Sequence, residues 1–238
     1  MKIILLGYGK MGKEIEGIAL KRGHEIIATV DINNADAFTS DELKKADVAI
    51  EFTAPHSAVA NIKKCAEAGV PVVVGTTGWL KQLDEVKKIV TEKNAGLFYA
   101  SNFSIGVNIF FELNKHLAKI MNNYQEYDVS LEEIHHIHKL DSPSGTGLSL
   151  AMQVLENIKR KKNWVNHAPA NDAELPILSL REGEVPGTHI VNYDSEVDHI
   201  EIKHVAHNRR GFALGAVLAA EFMNEKKGIY GMSDLLKI

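Results

Sequence analysis

Three of the eleven histidines fall within four residues, His135, His136 and His138, and Lys139 and the turn Asp141-Ser142-Pro143-Ser144-Gly145-Thr146 follow at once. Imidazole gains and loses a proton near neutral pH, so the cluster offers general acid–base chemistry. The turn offers anion binding. Leu148, Met152 and Leu155 recur behind it at helical spacing, so residues 143–146 open a helix. The first N–H groups of a helix have no partner within it; Gly145 permits close approach, and Ser144 and Thr146 add hydroxyls. With the Lys139 ammonium nearby, a carboxylate would be well held. Metal binding is the competing reading. On a strand, however, His136 and His138 share a face while His135 points the other way, and no Cys or carboxylate stands at ligand spacing, so no metal is expected. A fully extended strand would put His135 and Lys139 about 13 Å apart. If both act on one small molecule, the chain bends between them.

The second constellation lies at the start: Gly7-Tyr8-Gly9-Lys10-Met11-Gly12, spaced GxGxxG, with Asp31 a further 19 positions on. An apolar run at 3–6 precedes it, and Met11, Ile15, Ile18 and Ala19 follow as one apolar stripe, giving strand, glycine turn and helix, then a strand at 25–30. Gly7 makes the tight turn, Gly9 admits a pyrophosphate, Gly12 lets helix and strand pack closely, and the free N–H groups at the helix start face the phosphates. Asp31 would accept hydrogen bonds from the adenosine ribose and oppose a 2′-phosphate, favouring NADH. Lys10 can reach toward a 2′-phosphate, so NADPH stays open beside it.

The elements that position these groups follow from the apolar pattern. Strands are expected at 47–52, 70–74 and 96–100, with helices at 57–68 and through Leu80, Leu83, Val86 and Val90. Gly75-Thr76-Thr77 and Ala100-Ser101-Asn102-Phe103 then follow parallel strands at their carboxyl ends, where open α/β sheets bind ligands, and are candidates to flank a nicotinamide. Cys65 falls on the core side of the 57–68 helix and reads as a buried thiol. After about residue 104 the alternation lapses. A helix at 107–121, strands at 175–180, 189–193 and 196–205 and a helix at 212–223 read as an α+β unit. Residues 160–162, within KRKKN, read as the solvated end of a helix.

Composition is consistent with this. At about 150 residues per domain, 238 residues allow one large domain or two smaller ones. A net charge of -4 with 24% charged residues speaks against a nucleic-acid binder. A single cysteine excludes an internal disulfide and suits a reducing cytoplasm. No signal peptide and no membrane span are expected: the run at 211–223 is short and contains Glu221.

HHxHKxDxPSGT preceded by Glu133, the N-terminal GxGxxG, Gly75-Thr76-Thr77 and the stretch 100–104 together resemble the 4-hydroxy-tetrahydrodipicolinate (dihydrodipicolinate) reductases of lysine and diaminopimelate biosynthesis. The likeness runs in order from the first strand to the C-terminal helix. It implies an α/β fold: a Rossmann-type dinucleotide domain at 1–104 and 215–238, and an α+β substrate and tetramerisation domain at 105–214. It implies that residues 7–12 and Asp31 hold the adenosine half of NADH or NADPH, and Gly75, Thr76, Thr77 and residues 100–103 the nicotinamide half. His135 is then the proton donor, Lys139 a second proton donor and anion partner, and His136, Ser144, Gly145 and Thr146 bind the cyclic dicarboxylate. Hydride and substrate come from different domains, so closure between them is expected. Two departures stand out. The family often has Arg after the ribose-binding acid, where this chain has Ile32, which favours NADH; and the chain is shorter than many relatives.

Overall fold

The computed structural model describes residues 1–31, 33–34 and 39–238. They form two compact units, Met1–Ile105 with Arg210–Ile238, and Gly106–Arg209.

In the first unit the chain runs β1 (Lys2–Leu6), α1 (Lys10–Lys21), β2 (Glu25–Val30), α2 (Ser40–Leu43), β3 (Val48–Glu51), α3 (Pro55–Ala68), β4 (Val72–Val74), α4 (Leu83–Glu92) and β5 (Gly96–Tyr99). Strand period two explains the layering. Ile4 and Leu6 point into one core with Ala58 and Ile62 of α3 and Val86 and Val90 of α4. Ile3 and Leu5 point into a second core with Ile15 and Ala19 of α1. A strand covered on both faces must be apolar throughout, which is why β1 reads as an unbroken run. Cys65 lies fully buried in the first of these cores. Burial, and then the Glu51 carboxylate, push its thiol up to about 12.

The second unit contains α5 (Ile105–Met121), which begins at the junction, then β6 (Asp128–His135), α6 (Gly145–Asn157), β7 (Asn163–Val165), β8 (Glu174–Arg181), β9 (Thr188–Asp194) and β10 (His199–Val205). Its mixed sheet has the order β10-β9-β6-β8-β7. Phe110 and Ala118 of α5 and Leu150, Ala151 and Val154 of α6 pack on Val129 and Leu131 of β6, with Ile177 and Val191 beside them. The same alternation places Glu133 and His135 on the buried face. Apolar residues at the start of β6 thus determine where its two polar residues point.

The chain then returns to the first unit with α7 (Arg210–Met223), β11 (Gly228–Tyr230) and α8 (Met232–Leu236). Ala213, Ala216, Val217 and Ala220 complete the second core, and β11 pairs in parallel with β5, giving the sheet order β11-β5-β4-β3-β1-β2.

The mixed architecture expected from the sequence is present, with local corrections. The return to the first unit begins at Arg210 rather than 215, where α7 starts. The last strand of the second unit begins at His199, not 196, because Ser195 Oγ donates to the Asp198 carbonyl and closes a turn there. Residues 160–162 are not a solvated helix end. α6 stops at Asn157; Lys161 is 2% exposed, with Nζ on Asp128 at 2.7 Å and the Glu174 carbonyl at 2.9 Å. Arg160 donates to the carbonyls of Met121 and Tyr127. These cations are structural, the usual condition for a buried charge.

Candidate active site

In the first unit β2 lies on one side of β1 and β3 on the other, so the order reverses between β1 and β3. Ligands of open α/β sheets sit at the carboxyl ends of the strands at that reversal. Gly7 follows β1 there with φ +97°, and its N–H donates to the Val30 carbonyl. A Cβ on Gly7 would stand 2.0 Å from the Phe52 carbonyl oxygen, and one on Gly12 2.3 Å from the Gly7 carbonyl oxygen, whereas Gly9 faces open space. Two glycines therefore allow the backbone to pack and the third leaves room for a ligand. Gly9 caps α1 without a side-chain hydrogen bond, and no acidic residue occupies the first turn. Tyr8 donates to Glu16.

Asp31 follows β2, and its Oδ1 accepts the Asn33 N–H at 2.7 Å. Ile32 lies outside the described residues. After β4, Gly75 is held against the Phe52 ring, the Thr76 hydroxyl accepts the Thr53 N–H at 2.8 Å, and Thr77 is exposed. After β5 come Ala100, Ser101 and Asn102. The side chain of Phe103 is in the core against Phe52 and Phe98. Only the backbone of Phe103 is available to a cofactor.

In the second unit β6 ends at His135 and the chain bends at once, the Lys139 N–H bonding the His136 carbonyl at 3.1 Å. The bend separates the histidines. His135 stays on the buried face, and His136 and His138 line a cleft of about 370 Å³ with Glu184, Pro186 and His207. Lys139 Nζ rests on Asp141 at 2.7 and 2.8 Å. Arg181 braces the bend by donating to the carbonyls of Lys139 and Asp141.

The Glu133 carboxylate, 1% exposed, accepts the Ser144 N–H at 2.9 Å and its hydroxyl at 2.5 Å. Ser144 caps α6, its Oγ accepting the Gly147 N–H at 3.0 Å. Gly147 permits this packing: a Cβ there would be 2.5 Å from Glu133 Oε2. The Ser144 hydroxyl is thus engaged inside the protein, and the start of α6 presents Gly145 and Thr146 outward, with open space at Gly145. His135 Nδ1 stands 3.9 Å and Arg181 3.8 Å from Glu133 Oε1. Burial lowers the His135 pKa; Glu133 opposes that, and Lys139 and Arg181 add to it.

His189 completes the cluster. It lies opposite Glu133 in the β6–β9 ladder, with Nε2 3.7 Å from Glu133 Oε2 and its ring 5.0 Å from that of His135. Glu133, His135 and His189 have the donor set of a metal site, contrary to the expectation from sequence spacing that no carboxylate or Cys completes one. Both Glu133 oxygens are already bound by Ser144, so the group is assembled as a hydrogen-bonded network.

Burial, then the charges of His135, His204 and Lys139, bring the His189 pKa down to about 3 from an ordinary 6.5. The unfolded chain takes up a proton at this residue below about pH 6.5 and the folded chain does not until about pH 3. The stability contribution is therefore complete above 6.5 and falls with pH through that window, by about 1.4 kcal/mol per unit. Urea unfolding at neutral and mildly acidic pH is expected to show this slope, and His189→Gln to remove it.

Fold and residues together define an oxidoreductase of the pyridine-nucleotide class, with a glycine-turn crevice at the strand ends of one unit and a buried imidazole beside an open helix start in the other. Residues 1–103 match the family described as dihydrodipicolinate reductase, N-terminus, and residues 106–236 the one described as dihydrodipicolinate reductase, C-terminus. The chain is similar to a 4-hydroxy-tetrahydrodipicolinate reductase of Christiangramia forsetii, 48% identical over 99% of this chain and 98% of that one, and to another of Methanopyrus kandleri, 39% identical over 81% and 72%. Among solved structures it resembles a dipicolinate-bound dihydrodipicolinate reductase from Paenisporosarcina sp. TG-14, with 25% identity, TM-score 0.78 and 98% of each chain covered. The chain belongs to the dihydrodipicolinate reductase family, as the motifs in the sequence implied, and uses a pyridine nucleotide.

Sequence reading missed His189 and Arg181 as parts of the site. The signal for His189 was a histidine on a strand whose alternate neighbours Val191 and Tyr193 are core residues. For Arg181 it was a cation directly after the apolar run of β8.

Proposed function

We propose that this chain reduces 4-hydroxy-tetrahydrodipicolinate, by way of its dehydrated form dihydrodipicolinate, to tetrahydrodipicolinate in lysine and diaminopimelate biosynthesis. NADH or NADPH binds along residues 7–12, Asp31, 75–77 and 100–103 of the first unit, and the nicotinamide supplies hydride when bound. Hydride adds at C4 of the cyclic imine and electron density moves toward the ring nitrogen; His135 then delivers a proton to the ring carbon of the enamine. Net addition is one hydride and one proton. Lys139 and the N–H groups of Gly145 and Thr146 hold the carboxylates, with His136 on the neighbouring cleft.

The observation that carries this reading is the placement of His135. It is buried, next to a helix start whose own cap is satisfied internally and whose outward groups are left for an anion. An imidazole with a lowered pKa is a stronger acid once protonated, as delivery to carbon requires.

NADH is the favoured cofactor, supported by the Asp31 carboxylate at the end of β2. A homotetramer through the outer face of the mixed sheet is supported by Leu178 and Leu180 of β8, 53% and 39% exposed. No helix among the described residues is long and apolar enough to cross a membrane, and the single buried thiol suits work in the cytoplasm.

The test is oxidation of NADH and of NADPH in the presence of the product of dihydrodipicolinate synthase. Turnover is expected with a higher kcat/KM for NADH. A strong NADPH preference would refute the weight given to Asp31 and Ile32, and no turnover with either would overturn the function.

A further inference from the structure

Hydrogen-bond accounting at Ser144 leads to His189. A serine hydroxyl has one proton and two lone pairs. The proton of Ser144 Oγ goes to Glu133 Oε2, and one lone pair receives the Gly147 N–H. The remaining lone pair faces His189 Nε2 at 3.1 Å. The hydroxyl has no second proton to give, so Nε2 must carry one and donate it. His189 is 5% exposed, and its Nδ1 is buried without a hydrogen-bond partner. An unpartnered buried lone pair is tolerated more cheaply than a buried charge, so the ring stays neutral with its one proton on Nε2.

The rings of His189 and His135 meet edge to face, 72° apart. Antiparallel pairing puts His189 directly across from Glu133 on the same face of the sheet, two residues before His135. The charged and titratable groups around it are Glu133 and His135 from β6, His204 from β10 and Lys139 at the bend, with Arg181 from β8 on the far side of Glu133.

We propose that His189 is a positioning residue for this reaction: a neutral imidazole fixed as its Nε2–H tautomer, which saturates the Ser144 hydroxyl and so fixes the anion-binding turn, while its ring braces that of His135. The role rests on the reductase reading above. It explains why a histidine stands here rather than a lysine: the site gains an N–H donor without a fixed positive charge beside the proton-transferring imidazole. Without His189 the Ser144 hydroxyl is free to turn away from Glu133, the start of α6 loosens, and His135 loses a wall of its pocket. Displacements of about 1 Å in such supports lower rates by about 10²-fold.

Two measurements test this. The first needs no turnover: nitrogen NMR of the imidazoles in the wild-type chain, from about pH 8 to about pH 5. His189 is expected to remain neutral with its proton on Nε2 throughout; an Nδ1–H tautomer or a protonated ring overturns the assignment whatever the activity. The second compares His189→Gln, whose amide keeps an N–H donor, with His189→Leu, which keeps bulk alone. His189→Leu is expected to lose at least about tenfold in kcat/KM, through a raised KM for the dicarboxylate and a lowered kcat, with the NADH Kd unchanged. His189→Gln is expected to restore kcat/KM to within about threefold. Equal loss in both variants, with the NADH Kd intact, would reduce His189 to packing and overturn the proposal, as would wild-type kinetics in both. Failure of the wild-type chain to turn over would remove the proposed reaction, while the tautomer would still decide the state of His189.

Discussion

Replacing His135 with alanine is expected to lower kcat by about 10²–10⁴-fold while leaving the Kd for NADH unchanged. The size follows from the role. A positioned acid contributes that factor when a proton moves in the transition state, and among the described residues neither neighbouring imidazole can take over, because His189 stays neutral down to about pH 3 and His136 is turned onto a different cleft. The unchanged Kd follows from placement, since the glycine loop and Asp31 belong to the other unit. The pH profile gives a second readout. Only the imidazolium can donate, and burial holds the His135 pKa below 6.5. In the wild type, kcat/KM should fall as pH rises through a midpoint below 6.5; in His135→Ala the residual rate should lose that limb. Removing the nearby carboxylate with Glu133→Gln should push the midpoint lower still, because Glu133 is the larger of the two carboxylate influences, with Asp141, that raise it. Steady-state kinetics decide the matter, and an undiminished kcat in His135→Ala would end the assignment.

The second large effect is expected at Gly7. Alanine there must adopt φ +97° with its Cβ 2.0 Å from the Phe52 carbonyl oxygen. The obstacle is backbone at the end of β3, not a side chain that can rotate away. β1 or β3 must shift, or the turn must open, and either breaks the Gly7 N–H bond to Val30. Gly7→Ala is expected to destabilise the first unit by about 3 kcal/mol or more and to abolish measurable nucleotide binding. Gly9→Ala serves as the control, since open space surrounds Gly9. It should fold normally and lose affinity only through crowding of the ligand. Urea unfolding and a fluorescence titration with NADH separate the two cases, and equal stability of the Gly7 and Gly9 variants would refute the argument.

Much of the first unit was legible in the sequence, because a buried parallel strand has to be apolar on both faces and a glycine turn has to keep its spacing. The roles of Gly7 and Gly12 followed from their positions alone. Phe103 was less transparent: its loop was correctly placed at a strand end, but only the packed structure shows its ring in the core and the Gly215 Cα pressed against its carbonyl, where a Cβ would stand at 1.7 Å. In the second unit, the histidines adjacent in sequence diverge in space, since β6 ends at His135, and the imidazole that joins His135 comes from β9. Strand register creates such neighbours. Sequence alternation marks His189 as inward-facing without saying that Glu133 lies opposite. Lys161 misled for a related reason: within a basic run nothing distinguishes the one cation that the fold buries against Asp128.

The return of the C-terminal segment to the first unit bears on how the chain comes to be folded as it is made. Residues Gly106–Arg209 are contiguous, so their core can close while synthesis is still under way. The sheet of the nucleotide unit cannot. Until Arg210–Ile238 have emerged it lacks its edge strand β11, and Val48, Ile50, Val73 and Phe98 of β3, β4 and β5 lack the α7 surface that covers them. The half of the protein that is begun first is therefore the half completed last, and during that interval an apolar sheet face stays uncovered.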